Sequence, residues 1–233
     1  MKGMALAAIA AGCQAARLTP AAKQEFDCYV TALETRIAHQ RPAAESVSGE
    51  SRSLPGALLH HWRGAMFVPG AHRTDMLRLL RDYNHFAQYY APEVESSREL
   101  SESGEIATVA MRLRYQKAIT VVLDAQYEVR TGLASDRCGY GWSRSTPIWR
   151  VDEPGTAQER RRPEGDDDGF LWRLNSYWAF CEASNGLFIE LQAVSLTRDI
   201  PFGLRWIVKP IIENLPRESL EFTLAATRSA VQQ

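Results

Sequence analysis

Two periodicities alternate along the chain. From Ala21 to His39 the apolar residues Phe26, Val30, Leu33 and Ile37 recur at steps of four, three and four, which puts them on one stripe of an amphipathic helix. Residues 41–56 carry Pro42, Gly49, Pro55 and several serines with almost no large apolar side chain, the composition of a flexible linker. The first helix is therefore expected to be a satellite of the domain downstream. Leu58 to Phe67 reads as a strand ended by Pro69-Gly70, and Thr74 to Tyr83 as a helix with Met76, Leu77, Leu79 and Leu80 on its apolar side. The aromatic group Tyr83, His85, Phe86, Tyr89 and Tyr90 reads as packing at a helix end.

From Glu93 the period changes to two, the mark of an antiparallel sheet with one buried face. Val109, Met111, Leu113 and Tyr115 alternate with polar residues, and so do Ile119, Val121, Leu123, Ala125, Tyr127 and Val129. A loop over Gln116 to Ala118 would set Tyr115 opposite Ile119 and Leu113 opposite Val121, with both apolar sets on one face. Asn185-Gly186 is the dipeptide preferred in a type I′ turn. Such a turn would pair Ser184 with Leu187, Phe180 with Leu191 and Trp178 with Ala193, placing Trp178, Phe180, Ile189 and Leu191 on the interior face.

Between these hairpins, Arg137 to Val151 predicts one or two further strands, and Glu153 to Gly169 a loop. The loop's Arg160-Arg161-Arg162 and Asp166-Asp167-Asp168 runs nearly cancel, which suits a solvated tip. Phe202 to Val231 is interrupted by Pro210 and Pro216. Proline breaks a helix interior but suits its first turn, so short turns are expected before Pro216 and a full helix after it. Leu220, Leu224 and Val231 lie along one side of that helix. An apolar helix stripe and an apolar sheet face are buried most economically against each other.

Composition narrows the function classes. The 233 residues are 45% hydrophobic and 24% charged with a formal net charge of −1, so no global field attracts nucleic acid or anionic lipid. No apolar run reaches the roughly 18 residues of a membrane span. Met1-Lys2, the alanine-rich stretch Met4 to Ala11 and Gly12-Cys13 resemble a short signal peptide over residues 1–20, which leaves both a cytoplasmic and an exported protein open. Cys13, Cys28, Cys138 and Cys181 form no CxxC pair and read as free thiols rather than a metal site. There is no GxSxG elbow and no glycine-rich phosphate loop, and no histidine–carboxylate spacing suggests a catalytic metal. The chain therefore offers no nucleophile–base set of a hydrolase and no metal or cofactor motif.

The element order is a strand and helix, a run of antiparallel strands, then a terminal helix. It resembles the START-like superfamily of lipid-transfer and polyketide-cyclase-like proteins. The last sixty residues carry the resemblance most sharply, in Ser176-Tyr177-Trp178, Asn185-Gly186, Ser195-Leu196-Thr197-Arg198-Asp199-Ile200-Pro201, Gly203-Leu204 and Leu215-Pro216-Arg217-Glu218-Ser219-Leu220. These strings are similar to those of bacterial START-like proteins of unassigned function. The resemblance covers Leu58 to the C-terminus and implies an α+β helix-grip fold over residues 57–233, a curved antiparallel sheet wrapped around a long C-terminal helix. The extra N-terminal helix at 21–40 and the linker at 41–56 depart from that minimal pattern.

The resemblance also implies a cavity between sheet and helix, with an apolar, lipid-like small molecule as the partner. The residues expected to line it are Met111, Leu113, Tyr115, Leu123, Tyr127, Trp142, Trp178, Phe180 and Leu191, with Trp206 from the helix side. Ser176, Ser195 and Arg144 are the polar candidates on the same face. A carrier of an apolar molecule is the leading expectation. The alternatives are a cyclase- or aromatase-like enzyme, for which Tyr115, Tyr127 and Arg144 are the acid–base candidates, and a packed domain with no ligand. Oligomeric state has no signal in the sequence.

Overall fold

The computed structural model describes residues 17–37, 42, 45–116, 120–163, 170–199 and 205–233, the side chains of 205–213 excepted. The helices are α1 (Pro20–Ile37), α2 (Arg73–Arg81), α3 (Phe86–Tyr89) and α4 (Arg205–Val231). The strands are β1 (Ser46–Leu54), β2 (Ala57–Pro69), β3 (Val94–Ser103), β4 (Ile106–Gln116), β5 (Thr120–Leu133), β6 (Cys138–Asp152), β7 (Arg160–Arg161), β8 (Arg173–Ala183) and β9 (Gly186–Arg198). They make one antiparallel sheet in the order β1-β2-β9-β8-β6-β5-β4-β3, with the two-residue β7 beside β6.

Helix α4 crosses the inner face of this curved sheet. Leu220, Leu224, Ala230 and Val231 pack with Met66 and Val68 of β2, Trp178 and Phe180 of β8, Ile189 and Leu191 of β9, and Met76, Leu79 and Leu80 of α2. The close approach depends on Gly64, where a Cβ would stand 2.4 Å from Leu224 Cδ1 and 2.8 Å from Leu220 Cδ2. A second inner cluster gathers Val109 and Leu113 of β4, Val121, Leu123, Ala125 and Tyr127 of β5, Ile148 of β6 and the rings of Tyr83, Phe86 and Tyr90. Phe222 and Ala226 of α4 lean on it from above. Tyr83, Phe86 and Tyr90 meet edge to face at 5.9 and 5.8 Å, the packing role expected of the aromatic group.

The outer face is covered too. Ala22, Phe26, Val30 and Leu33 of α1 bury against Leu54, Leu59, Trp172, Tyr177, Val194 and Leu196. So α1 is no satellite: it closes the second side of the sheet. Residues 41–56 likewise depart from the linker expectation, because β1 pairs with β2 from Ser46↔Ala65 to Leu54↔Ala57. As an edge strand β1 buries only Leu54, so its polar sequence carried no strand signal.

Two further expectations are corrected. Cys138 and Cys181 are not free thiols: they lie directly opposite each other on β6 and β8 and form a disulfide with a Cα–Cα distance of 4.1 Å. Cys28 is free and exposed, and Cys13 lies outside the described residues. Helix α4 runs unbroken through Pro210 and Pro216 rather than starting at the second.

Both hairpin registers differ from expectation by two residues, which preserves the faces. Tyr115 pairs with Val121 and Leu113 with Leu123; Phe180 pairs with Ile189, Trp178 with Leu191 and Ser176 with Ala193. In the second hairpin the two-residue turn is Ser184-Asn185, flanked by the pair Ala183↔Gly186. Gly186 serves a close approach instead of a turn, since a Cβ there would lie 2.4 Å from the Val68 carbonyl oxygen.

Candidate functional site

Strand alternation decides which side chains face α4. Met111, Leu113, Tyr115, Leu123, Tyr127, Trp178, Phe180, Leu191, Ser176 and Ser195 all fall on the inner face. They do not form one group. Trp178, Phe180 and Leu191 are packed solidly under α4 and α2, whereas Met111, Leu113, Tyr115, Leu123 and Tyr127 belong to the cluster beneath Phe222. Ser176 is in register with Ala193 and Ser143, and Ser195 with His60 and Leu174. Trp206 lies outside the described side chains.

Trp142 and Arg144 are on the opposite face, a correction to the expected lining. Trp142 pairs with Tyr177, and the Arg144 guanidinium stacks 4.4 Å from the Trp142 ring. It also donates to both carboxylate oxygens of Glu34 on α1, at 2.8 and 2.6 Å. The inner face of β6 carries Gly139, Gly141, Ser143 and Ser145 instead. Neighbouring side chains fill the space above the two glycines, where a Cβ would stand 2.3 Å from the Phe180 ring at Gly139 and 2.9 Å from Leu80 Cδ1 at Gly141, while Trp142 packs in the layer under α1.

Sequence reasoning missed several inner-face groups. His60 is buried, with Nδ1 2.7 Å from Ser51 Oγ and Nε2 3.4 Å from Thr197 Oγ1. Trp62 stacks over Gly49 and holds a buried indole N–H that has no partner among the described residues. Ser145 Oγ accepts from the Leu174 N–H at 2.9 Å. Phe170 stands 6.1 Å from the Tyr115 ring. For His60, Trp62 and Ser145 the available signal was the period of two that located Leu191; Phe170 precedes β8 and had no such signal.

Burial of the phenols differs in kind. Tyr90 is bonded to Thr227 Oγ1 at 3.1 Å, and its burial raises its pKa to about 12. Tyr127 and Tyr115 are pushed higher still, first by burial and then, for Tyr127, by Tyr115 and, for Tyr115, by the charge of Glu93. Tyr115 is half-buried on the inner face, beside Phe170. Met111, Phe170, Leu174 and Phe222, around the same cluster, are also only half-buried. Among the described residues no three potential metal ligands gather, and no helix is long and apolar enough to cross a membrane.

This architecture matches solved structures over most of its length. A STAR-related lipid transfer protein fragment from Xanthomonas axonopodis superposes with a TM-score of 0.54 at 20% identity, over 80% of this chain and 99% of that one. The fold is START-like. The Zhui aromatase/cyclase from Streptomyces sp. R1128 shares the START-like fold at TM-score 0.50 and 12% identity, over 75% of this chain and 94% of its own. Human STARD10 does so at 0.50 and 10% identity, over 93% of this chain and 82% of its own. No protein-family sequence pattern matches the chain, and neither does any curated protein sequence.

Proposed function

We propose that the chain binds an apolar, lipid-like small molecule between the inner face of its sheet and α4. The supporting observation is the half-buried set around Tyr115. These side chains lie between the sheet and α4, and a cavity there would be walled by Met111, Phe170 and Phe222. Burial of a hydrocarbon against such walls contributes roughly 25 cal/mol per Å² of apolar area, with a few polar groups fixing orientation. The shared fold of a protein named for lipid transfer supports an apolar ligand. The cyclase alternative is weaker, because Arg144 is held by Glu34 on the far side of the sheet. That leaves two phenols without a cation from the expected set.

Native mass spectrometry of the purified protein, followed by organic extraction, tests this reading. An apolar adduct is expected, and Met111→Trp should remove it while cooperative unfolding is retained. A clean apo mass together with no binding of Nile red would sink the carrier reading in favour of a packed domain.

A further inference from the structure

The Cys138–Cys181 bond joins β6 to β8, and both cysteines are only half-buried. Each is the other's register partner, so the sheet itself holds the two sulfurs face to face. Glutathione and thioredoxin keep accessible thiols reduced in a cytoplasm, whereas such bonds form and persist in secreted and periplasmic proteins. The sequence carries an independent sign of the same address. Lys2 is the only charged side chain before Arg17, Met4 to Ala11 are all apolar, and the small residues Ala10, Ala11 and Gly12 lead into Cys13. A basic start, an apolar stretch and a small-residue cleavage site are the three parts of an export signal. Cys13 is therefore no isolated thiol: it stands directly after that signal, in a chain whose disulfide calls for export.

We propose that residues 1–12 are an export signal and that Cys13 is a lipid-modification site, so that the mature chain is held on a membrane outside the cytoplasm. Cys13 Sγ displaces glycerol phosphate from the glyceryl carbon of a phosphatidylglycerol; a C–S bond replaces the C–O bond, and the thiol proton leaves with the phosphate. Water then hydrolyses the Gly12–Cys13 peptide bond, and the freed amine takes an acyl chain from a second phospholipid, which departs as its lyso form. Stable anchoring needs more than one chain, and this product carries three. The fold fixes where the anchor pulls. Leu18 packs on the outer cluster, and Thr19 Oγ1 accepts from the Ala22 N–H at 3.1 Å and donates to the Pro55 carbonyl at 3.3 Å. From Cys13 to Leu18 the chain reaches about 18 Å at most. The Asp199 N–H donates to the Gly56 carbonyl at 3.3 Å, so the start of α1, the β1–β2 turn and the end of β9 share one end of the sheet. The tether holds that end toward the bilayer. The anchor is independent of the binding function proposed above.

Expression of the full chain in a Gram-negative host tests the assignment, with cell fractionation, radiolabelled palmitate, and N-ethylmaleimide added before lysis. The chain is expected in the membrane fraction, carrying the label, beginning at Cys13 in intact-mass spectra, and with Cys138 and Cys181 alkylated only after dithiothreitol. Cys13→Ser should abolish the label and leave residues 1–12 attached, whereas Cys28→Ser should change neither. A label that survives Cys13→Ser, an unlabelled chain that keeps Met1 in the soluble fraction, or a processed soluble chain whose Cys13 is free or bonded to Cys28 each overturn the anchor. Alkylation of Cys138 and Cys181 without dithiothreitol would place the chain in a reducing compartment and overturn export as well. None of these outcomes bears on ligand binding, which Nile red reads separately.

Discussion

At the scale of single residues, Glu34 shows how the outer layer is tied. It receives both hydrogen bonds of Arg144 and a third from the Tyr177 hydroxyl at 2.7 Å. Arg144 is too exposed for that pair to contribute more than about 1 kcal/mol. Arg144→Ala should therefore lower the urea midpoint slightly and leave Nile red affinity untouched; a loss of binding would return Arg144 to the site. His61 sits in the same layer, Nδ1 2.7 Å from the Tyr29 hydroxyl and Nε2 3.1 Å from Gln192 Oε1. Burial is the largest influence on it and lowers its pKa below the ordinary 6.5. The unfolded chain then takes up a proton that the folded chain refuses, so the contribution is complete above pH 6.5 and is lost as pH falls through the depressed folded value. Urea midpoints measured from about pH 7.5 downward should show a loss that His61→Gln reduces. Parity misled the reading at Trp142 and Arg144 for a physical reason. With both faces of the sheet covered, bulky residues mark either side, and on β6 the inward positions are Gly139, Gly141, Ser143 and Ser145.

At the scale of elements, what the sequence revealed tracks burial contrast. Strands β4, β5, β8 and β9 were legible because their inner faces are apolar, and α2 because its apolar residues repeat at helical spacing. Strand β1 was not, since an edge strand with one buried residue has nothing to alternate. The unbroken course of α4 could not be read from two prolines, because what holds it lies across the sheet. The Cys138–Cys181 bond was equally hidden: a separation of 43 residues says nothing until register sets the two side by side. Closing a loop of that length stabilises by about 4 kcal/mol on the chain-entropy account. Cys138→Ser/Cys181→Ser should lose most of this in urea unfolding, and dithiothreitol should reproduce the loss in the wild type but not in the variant.

At the scale of the whole molecule, the chain is a three-layer stack with α1 outside, the sheet between, and α4 with α2 inside. The inner layer is uneven, packed solidly around Trp178 and Phe180 and looser around Tyr115. That unevenness was beyond the sequence, where Trp178 and Tyr115 looked alike as large inward residues. Only the helix above them distinguishes filler from wall. Gly64 then acquires a role beyond tight packing. With no side chain beneath Leu220 and Leu224, it acts as the shim that sets the clearance between helix and sheet. Gly64→Ala would press on the ends of Leu220 and Leu224 and lower Tm, and on the proposed binding function the longest alkane that still displaces Nile red should change with it. One missing carbon would thus gauge the size of guest that the proposed site admits.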